Sequence, residues 1–262
     1  MRFIYWNTKK NSDASVILEI LNEEFPDVLF LSETEESLIL NILSQLDSIN
    51  YKHFENPGCD RIKIIARKNL NVSLSKQSTY YSALRDSEND VTIVSVHLPS
   101  QLYQNIDGLK GFMRDFRHEI DQEIGSSVND NIILIGDFNI NPFDKPMIDF
   151  DGFSASNSKT LKKESVHLSK RKSLYYNPTW MLYAKNNFPG TIYYRRPSAF
   201  SYDVLEHHFL DQVLLSYNMS QNIFSEKISI LEKTTHHTFF DATSNSIKLS
   251  DHLPLIYEYK IA

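Results

Sequence analysis

Ile132-Ile133-Leu134-Ile135-Gly136-Asp137-Phe138-Asn139 is the stretch on which the reading of this chain turns. Its first half is a short apolar run, read as a buried strand; its second half is a polar turn. A buried strand that ends in polar side chains is a place where chemistry can be held by a rigid scaffold. Working outward, the arrangement recurs. Asn7 follows an apolar run at 2–6, Glu33 follows one at 28–31, and His97 ends Val94-Ser95-Val96. Asp211 lies in Phe209-Leu210-Asp211-Gln212-Val213-Leu214, and Asp251-His252 precedes a last strand at 255–259. Further strands are expected at 62–66, 91–96, 210–215 and 228–231. Helical spacing falls between them. Ser12 or Asp13 caps a helix with Val16, Ile17, Ile20, Leu21 and Phe25 on one face, stopped by Pro26. A second helix carries Leu38, Ile39, Ile42, Leu43 and Leu46, and a long one at 102–124 turns Leu109, Phe112, Met113, Phe116 and Ile120 inward. The alternation predicts a mixed α/β protein with helices outside its sheets.

Composition narrows the classes. With 262 residues and 41% hydrophobic content the chain can bury a sizeable core, which excludes disorder over most of its length. One cysteine, Cys59, excludes a disulfide scaffold. No apolar run approaches a membrane span, so no integral membrane association is expected. The first residues turn polar too quickly for a signal peptide, and a cytoplasmic protein is expected. Only 7 Gly and 9 Pro leave no flexible linker, so residues 1–262 are read as one domain. The net charge of −6 excludes a generic polycation.

One segment departs from that balance. Lys159, Lys162, Lys163, Lys170, Arg171 and Lys172 face a single acid, Glu164, and Arg195-Arg196 adds a second basic point. A charge run is commonly a solvated loop. It is also the footprint expected for a polyanion, and Tyr175, Tyr176, Trp180, Tyr193 and Tyr194 nearby suit unstacked bases as well as a small core.

Taken singly, each strand-end residue has a structural explanation: Asp and Asn favour turns, and a histidine after an apolar strand is commonly a satisfied core group. Their joint order is harder to explain that way. Trp6-Asn7, Pro26-Asp27-Val28-Leu29-Phe30-Leu31-Ser32-Glu33, Val94-Ser95-Val96-His97-Leu98, Gly136-Asp137-Phe138-Asn139, Leu210-Asp211-Gln212-Val213 and Ser250-Asp251-His252-Leu253-Pro254-Leu255 together resemble the endonuclease/exonuclease/phosphatase superfamily of DNase I-like metallophosphoesterases. The resemblance runs from residue 6 to 255. Asn177-Pro178-Thr179-Trp180, Gly190-Thr191-Ile192-Tyr193-Tyr194 and Asp211-Gln212-Val213-Leu214 also look like a bacterial subgroup of it without a settled substrate.

The resemblance implies a four-layer α/β/β/α sandwich, two mixed sheets face to face with helices outside. It also implies Mg²⁺ or Mn²⁺ at the strand ends, which suits a candidate set of carboxylates, amides and imidazoles without a cysteine cluster. Glu33 would be the main metal ligand, preferred over Glu35 by its distance from Pro26-Asp27, with Asn7 and Asp251 beside it. His252 would take a proton from the attacking water, and Asp211 would orient it. Asp137 would orient the nucleophile or bind a second metal, and Asn139 would donate to the phosphoryl oxygens. His97 would donate to a nonbridging oxygen or protonate the leaving group; its presence leans toward the DNase-, deadenylase- and sphingomyelinase-like branches. Arg61 and Lys63 are candidate phosphate contacts. The chain between Asn139 and Asp211 is longer than compact members need, so the basic segment at about 151–205, with Lys170, Arg171, Lys172, Arg195 and Arg196, is expected to bind substrate. The leading expectation is a metal-dependent nuclease acting on DNA or RNA. A phosphatase or phosphodiesterase of small-molecule or lipid esters is the alternative, and a non-catalytic binding module a remote third.

Overall fold

The structure, a computed structural model, describes residues 1–11, 13–100, 106–126, 128–159, 163–167, 169–183, 192–193, 207–244 and 246–261. In chain order the first half comprises β1 (Arg2–Asn7), α1 (Ala14–Glu24), β2 (Val28–Ser32), α2 (Glu36–Ser48), β3 (Tyr51–Phe54), β4 (Ile62–Arg67), β5 (Val72–Ser78), β6 (Tyr81–Asp86), β7 (Val91–His97), α3 (Ile106–Glu123) and β8 (Asn131–Asp137). Short elements follow: α4 (Lys145–Ile148), β9 (Ala155–Ser156), β10 (Glu164–His167), β11 (Lys170–Ser173), β12 (Tyr175–Tyr176), α5 (Trp180–Tyr183), β13 (Ile192–Tyr193) and β14 (His207–His208). The chain closes with β15 (Asp211–Ser216), α6 (Tyr217–Asn222), β16 (Ile223–Ile230), β17 (Phe240–Asp241), β18 (Ser246–Ile247) and β19 (Leu255–Ile261).

Two mixed sheets result, ordered β16-β19-β1-β2-β4-β3 and β5-β6-β7-β8-β15-β12-β9. The central strands read as continuous apolar runs because both of their faces are covered. Along β8 the faces separate by alternation: Ile133 and Ile135 join a core shared with the first sheet, while Ile132 and Leu134 pack with Met113, Phe116 and Ile120 of α3. Helices α1 and α2 bury Val16, Ile17, Ile20, Leu38, Ile39 and Ile42 with the first sheet. The layers are therefore helix, sheet, sheet, helix. Each such side chain contributes about 1.5–3 kcal/mol on burial. Among the described residues, no helix is long and apolar enough to cross a membrane.

Several expectations are corrected. β3, β5 and β6 were not foreseen. β5 alternates weakly and lies at a sheet edge, where only one neighbour constrains its pattern. Phe25 is 60% exposed, because α1 ends before it and it turns left-handed at φ 47°. Leu43 is also exposed, one residue off the stripe of Leu38, Ile39, Ile42 and Leu46. Asp13 caps α1 by accepting from Ser15 N; Ser12 lies outside the described residues, as does the expected start of the long helix at 102–105. The strand expected at 228–231 is the end of β16.

The pairing decides where the site falls. β1 and β2 are parallel and end together, with Asn7 opposite Ser32; β7 and β8 are parallel and end with His97 opposite Asp137. β15 runs back antiparallel, so it begins at this rim, with Asp211 opposite Asp137. β19 likewise starts beside the end of β1, pairing Leu255 with Tyr5. One rim of the sandwich thus collects the polar ends that the sequence scatters over 245 positions from Asn7 to His252.

Candidate active site

The rim is built by unusual backbone as well as by strands. Gly136 takes φ +148°, and a Cβ there would lie 2.1 Å from the Val96 carbonyl oxygen, so only glycine fits between the two parallel strands. Glu33 and Asn139 adopt left-handed φ of 51° and 54°. Such conformations cost a non-glycine residue free energy and concentrate at functional sites. Glu33 is held by its carbonyl, which accepts from Lys10 N at 2.9 Å and from Thr8 Oγ1 at 3.0 Å. Asn139 N donates to Asp137 Oδ1 at 2.7 Å, and its Nδ2 donates to the Leu98 carbonyl at 2.7 Å.

His252 and Asp211 form the centre. The His252 Nδ1–H donates to Asp211 Oδ2 at 2.8 Å, since a carboxylate can only accept. His252 is fixed further through its backbone: its carbonyl accepts from Trp6 Nε1, and its N–H donates to Ser250 Oγ, which donates to the Asn7 carbonyl at 2.8 Å. Asp137 Oδ2 lies 4.0 Å from His252 Nε2 and 3.9 Å from His97 Nε2. Asp137, Asp211 and His252 are all buried. Burial, together with the charge of Asp211, lifts the Asp137 carboxyl from 3.8 to about 7, against the pull of His252. Burial alone would lower His252, but the charge and hydrogen bond of Asp211, with Asp137 and Asp251, raise it to about 9.

His97 behaves oppositely. Burial lowers it to about 4; Glu33 opposes that, while Arg61 and His252 reinforce it. Its Nε2 is 3.6 Å from Glu33 Oε1, and its Nδ1 is buried with no hydrogen-bond partner among the described residues. Asn7 Nδ2 donates to Glu33 Oε1 at 3.0 Å, joining the ends of the two parallel strands. Glu35, the rejected alternative, is exposed and faces Lys10 at 3.8 Å.

Two groups of side chains could hold a cation. Asp137, Asp211 and His252 offer ligand atoms within 4.8 Å of one another. Glu33 and Asp251 offer carboxylate oxygens at a more open place, their side chains 39% and 29% exposed, whereas Asn7 is buried and its Oδ1 accepts from Lys9 N at 3.0 Å. A hydrated Mg²⁺ keeps several waters, which favours the open set. Asp251 already attracts a positive charge, Lys9 Nζ at 2.5 Å.

Not all expected substrate contacts come to this rim. Arg61 does: it precedes Ile62, which pairs with Ser32, and its guanidinium lies over the Tyr80 ring, 5.1 Å from the centroid. Lys63 is taken up by a salt bridge to Glu36. Lys170, Arg171 and Lys172 lie away from the rim. They lie on the β10–β11 hairpin, which leads into Tyr175 opposite Ser216, the far end of β15 from Asp211. Five residues of strand separate those ends by roughly 17 Å. Lys172 is also turned inward, donating to the Phe150 and Gly152 carbonyls, and burial lowers it to about 8. Arg171 faces Glu164. Arg195, Arg196, Lys162 and Tyr194 lie outside the described residues. Sequence reasoning missed Lys9. Its one signal was position, two residues after Asn7. With Lys248 it lines a cleft of about 470 Å³ beside Ser250 and Asp251.

The sandwich and its one polar rim define a DNase I-like protein. A model of the Endonuclease/Exonuclease/phosphatase family matches residues 4–252, and the chain belongs to that family. No curated protein matches it by sequence. Among solved structures it is similar to TDP2 of D. rerio in complex with a single strand DNA product, at TM-score 0.62 and 15% identity over 99% of this chain and 98% of that one. It is similar to an AP endonuclease from Archaeoglobus fulgidus, at TM-score 0.60 and 13% identity over the whole of both chains. The human Nocturnin catalytic domain matches at TM-score 0.56 and 15% identity, covering 100% of this chain and 93% of that one.

Proposed function

We propose that this member of a family of phosphoester hydrolases is a divalent-metal-dependent phosphodiesterase that cleaves nucleic acid. The observation that carries the reading is the His252–Asp211 pair, bonded at 2.8 Å and facing Asp137 at the rim that also carries Glu33, Asn7, Asn139 and His97. Glu33, Asn7 and Asp251 would hold Mg²⁺ or Mn²⁺, and their oxygen donors suit either ion. The bound ion would neutralise phosphate oxygens and polarise phosphorus. His252 in its neutral form, which gains population as pH rises toward about 9, takes a proton from water at Nε2 as the water oxygen bonds to phosphorus and the bond to the leaving oxygen breaks, so hydrolysis is expected to rise with pH through that range. Asp211 fixes the ring and stabilises the imidazolium. Asp137 orients the water from the other side of His252. Asn139, on its left-handed turn, presents an amide to the phosphoryl oxygens as charge builds there. His97 is neutral at pH 7, which suits a hydrogen-bond donor to a nonbridging oxygen better than a proton source for the leaving group. Arg61 supplies a cation for an adjacent phosphate. The similar structures of D. rerio TDP2, complexed with a single strand DNA product, and of the Neisseria 3′ phosphatase NExo, bound to a product DNA hairpin, support nucleic acid as the partner here.

A small phosphoester is the second reading. The overall charge of −6 favours it, as does the placement of the basic hairpin away from the rim. One experiment separates the two. Purified protein is incubated with supercoiled plasmid, single-stranded RNA and a panel of small phosphoesters, each with Mg²⁺, Mn²⁺ or chelator, beside His252→Ala. Polymer cleavage that needs metal and disappears in the variant is expected. Turnover of small esters alone would overturn the nucleic-acid reading.

A further inference from the structure

The turn after β1 carries a side chain that the mechanism leaves unused, and it lies on the proposed metal ligands themselves. Lys9 reaches two of the three. Its backbone N–H donates to Asn7 Oδ1 at 3.0 Å, and its Nζ donates to Asp251 Oδ2 at 2.5 Å. The two contacts act in opposite senses. An amide oxygen has two lone pairs, so the backbone contact orients Asn7 and leaves it able to face a cation. The ammonium instead competes for Asp251, because two cations on one carboxylate repel.

An exposed lysine on an aspartate is commonly surface decoration, but here the stem is fixed and only the tip is loose. Lys9 and Lys10 adopt left-handed φ of 48° and 61°. Lys10 N donates to the Glu33 carbonyl and Asn11 N to the Thr8 carbonyl, each at 2.9 Å. Asn11 Nδ2 donates to the Leu249 carbonyl at 2.9 Å, which fastens the turn to the segment that carries Asp251. The Lys9 side chain, by contrast, is 60% exposed, and an ion pair that open is worth only about 0.2–1 kcal/mol. Beside it lies the cleft of about 470 Å³, whose wall also carries Ser246, Lys248 and Ser250. The ammonium therefore has two places within reach of one anchored stem: Asp251, or an anion held in the cleft.

Resting on the reading of Glu33, Asn7 and Asp251 as the metal site, we infer that Lys9 is an exchangeable counter-ion that couples metal uptake to phosphate: its ammonium holds Asp251 in competition with the divalent ion and, once released, turns into the cleft to a phosphate oxygen. Charge gives the sense of the coupling. Release of the ammonium from Asp251 costs less when a phosphate in the cleft receives it, and phosphate binds better when the ammonium is already released. Linkage makes the two effects equal in size. Lys248, whose acid partner is Asp241 at 4.0 Å, adds charge to the cleft and takes no part in the exchange.

The test is a direct titration of full-length protein with Mn²⁺, read from the spin signal of the free ion, with and without inorganic phosphate and corrected by a protein-free titration. Lys9→Met is expected to bind Mn²⁺ alone about 2- to 5-fold tighter than wild type, and the tightening that phosphate brings is expected to shrink by that same factor. Lys9→Arg keeps the charge and so keeps the wild-type coupling. Lys248→Met weakens phosphate binding and leaves the affinity for Mn²⁺ alone unchanged. Lys9 is exposed, so its replacement spares the fold, and an unchanged melting curve in chelator checks this. Unchanged or weaker Mn²⁺ binding in Lys9→Met, or an undiminished effect of phosphate, overturns the exchange while leaving the metal site standing. If the wild-type chain binds no Mn²⁺, or Glu33→Gln binds it as well as wild type, the metal reading itself falls, and the exchange with it.

Discussion

Replacing Asp137 with asparagine is expected to make the protein more stable and its chemistry far slower. The two effects have one cause. Asp137 is wholly buried, and its Oδ2 faces two imidazoles at about 4 Å across from Asp211. Burial and the Asp211 charge lift its carboxyl from 3.8 to about 7. The folded state therefore binds a proton there that the unfolded state has already released, over the window from about pH 4 to pH 7. Stability contributed by that proton is present at low pH and falls as pH rises through the window. Above it, the ionised group costs roughly 4 kcal/mol. Asparagine keeps the acceptor for Asn139 N and offers an amide N–H toward Asp211. It also removes one of the charges that raise His252, so part of the gain is lost. A net gain of about 2 kcal/mol, or roughly 4–8 °C in Tm, is expected at pH 8. The gain should shrink to less than half at pH 5, where the wild-type carboxyl is protonated. The assay is thermal melting of both proteins in chelator at the two pH values. Phosphodiester hydrolysis in metal should fall by at least about 100-fold, because the water loses its second anchor. A variant that melts lower than wild type at pH 8, or whose gain does not depend on pH, would refute the argument that Asp137 is a repelled, buried carboxylate.

Three further outcomes follow from the geometry. Arg61→Ala should lower the slope of log affinity for a nucleic acid against log salt by about 1, whereas Lys170→Ala and Arg171→Ala should leave it unchanged; titrations at several ionic strengths separate these. Gly136→Ala should cost on the order of 3–5 kcal/mol in a urea unfolding experiment, because the new methyl meets the Val96 carbonyl oxygen and the left-hand φ is strained. Lys9→Met should tighten Mn²⁺ binding by about 2- to 5-fold in a direct titration, since an exposed ammonium no longer neutralises Asp251; weaker binding would place Lys9 among the groups that build the metal site.

What the sequence disclosed and what it hid differ in kind. The runs at Ile132–Ile135 and Val28–Leu31 are apolar because they are covered on both faces, so they announce themselves. So do the polar residues at their ends, since a carboxylate or amide directly after a buried strand needs a reason to be there. The Asp211–His252 contact and the meeting of Asn7 with Glu33 are what the strand register brings together. Edge strands such as β5 carry no such mark, because one neighbour and one solvent face constrain them weakly.

The position of the basic segment was hidden for a related reason. Its charge is local, but its position is set by a two-residue strand: Tyr175 opposite Ser216 and Tyr176 opposite Leu215. That pairing places the hairpin at the end of β15 opposite to Asp211. Nothing in the composition of residues 163–173 specifies it. It depends on the buried guanidinium of Arg117, which bonds Ser173 and the Phe153 carbonyl and stacks on the Tyr175 ring at 4.5 Å, tying the segment to α3. Proximity in sequence to Tyr175, Tyr176 and Trp180 therefore splits in space. The two tyrosines form β12, the strand next to the sheet edge, whereas Trp180 follows Asn177 and Thr179, which bond Gln212 and Val213. Aromatic rings and basic residues that read as one nucleic-acid footprint are divided by a single antiparallel strand. The bonds of Asn177 and Thr179 go to Gln212 and Val213, one and two residues after Asp211, which is where the chain between β12 and α5 is fixed.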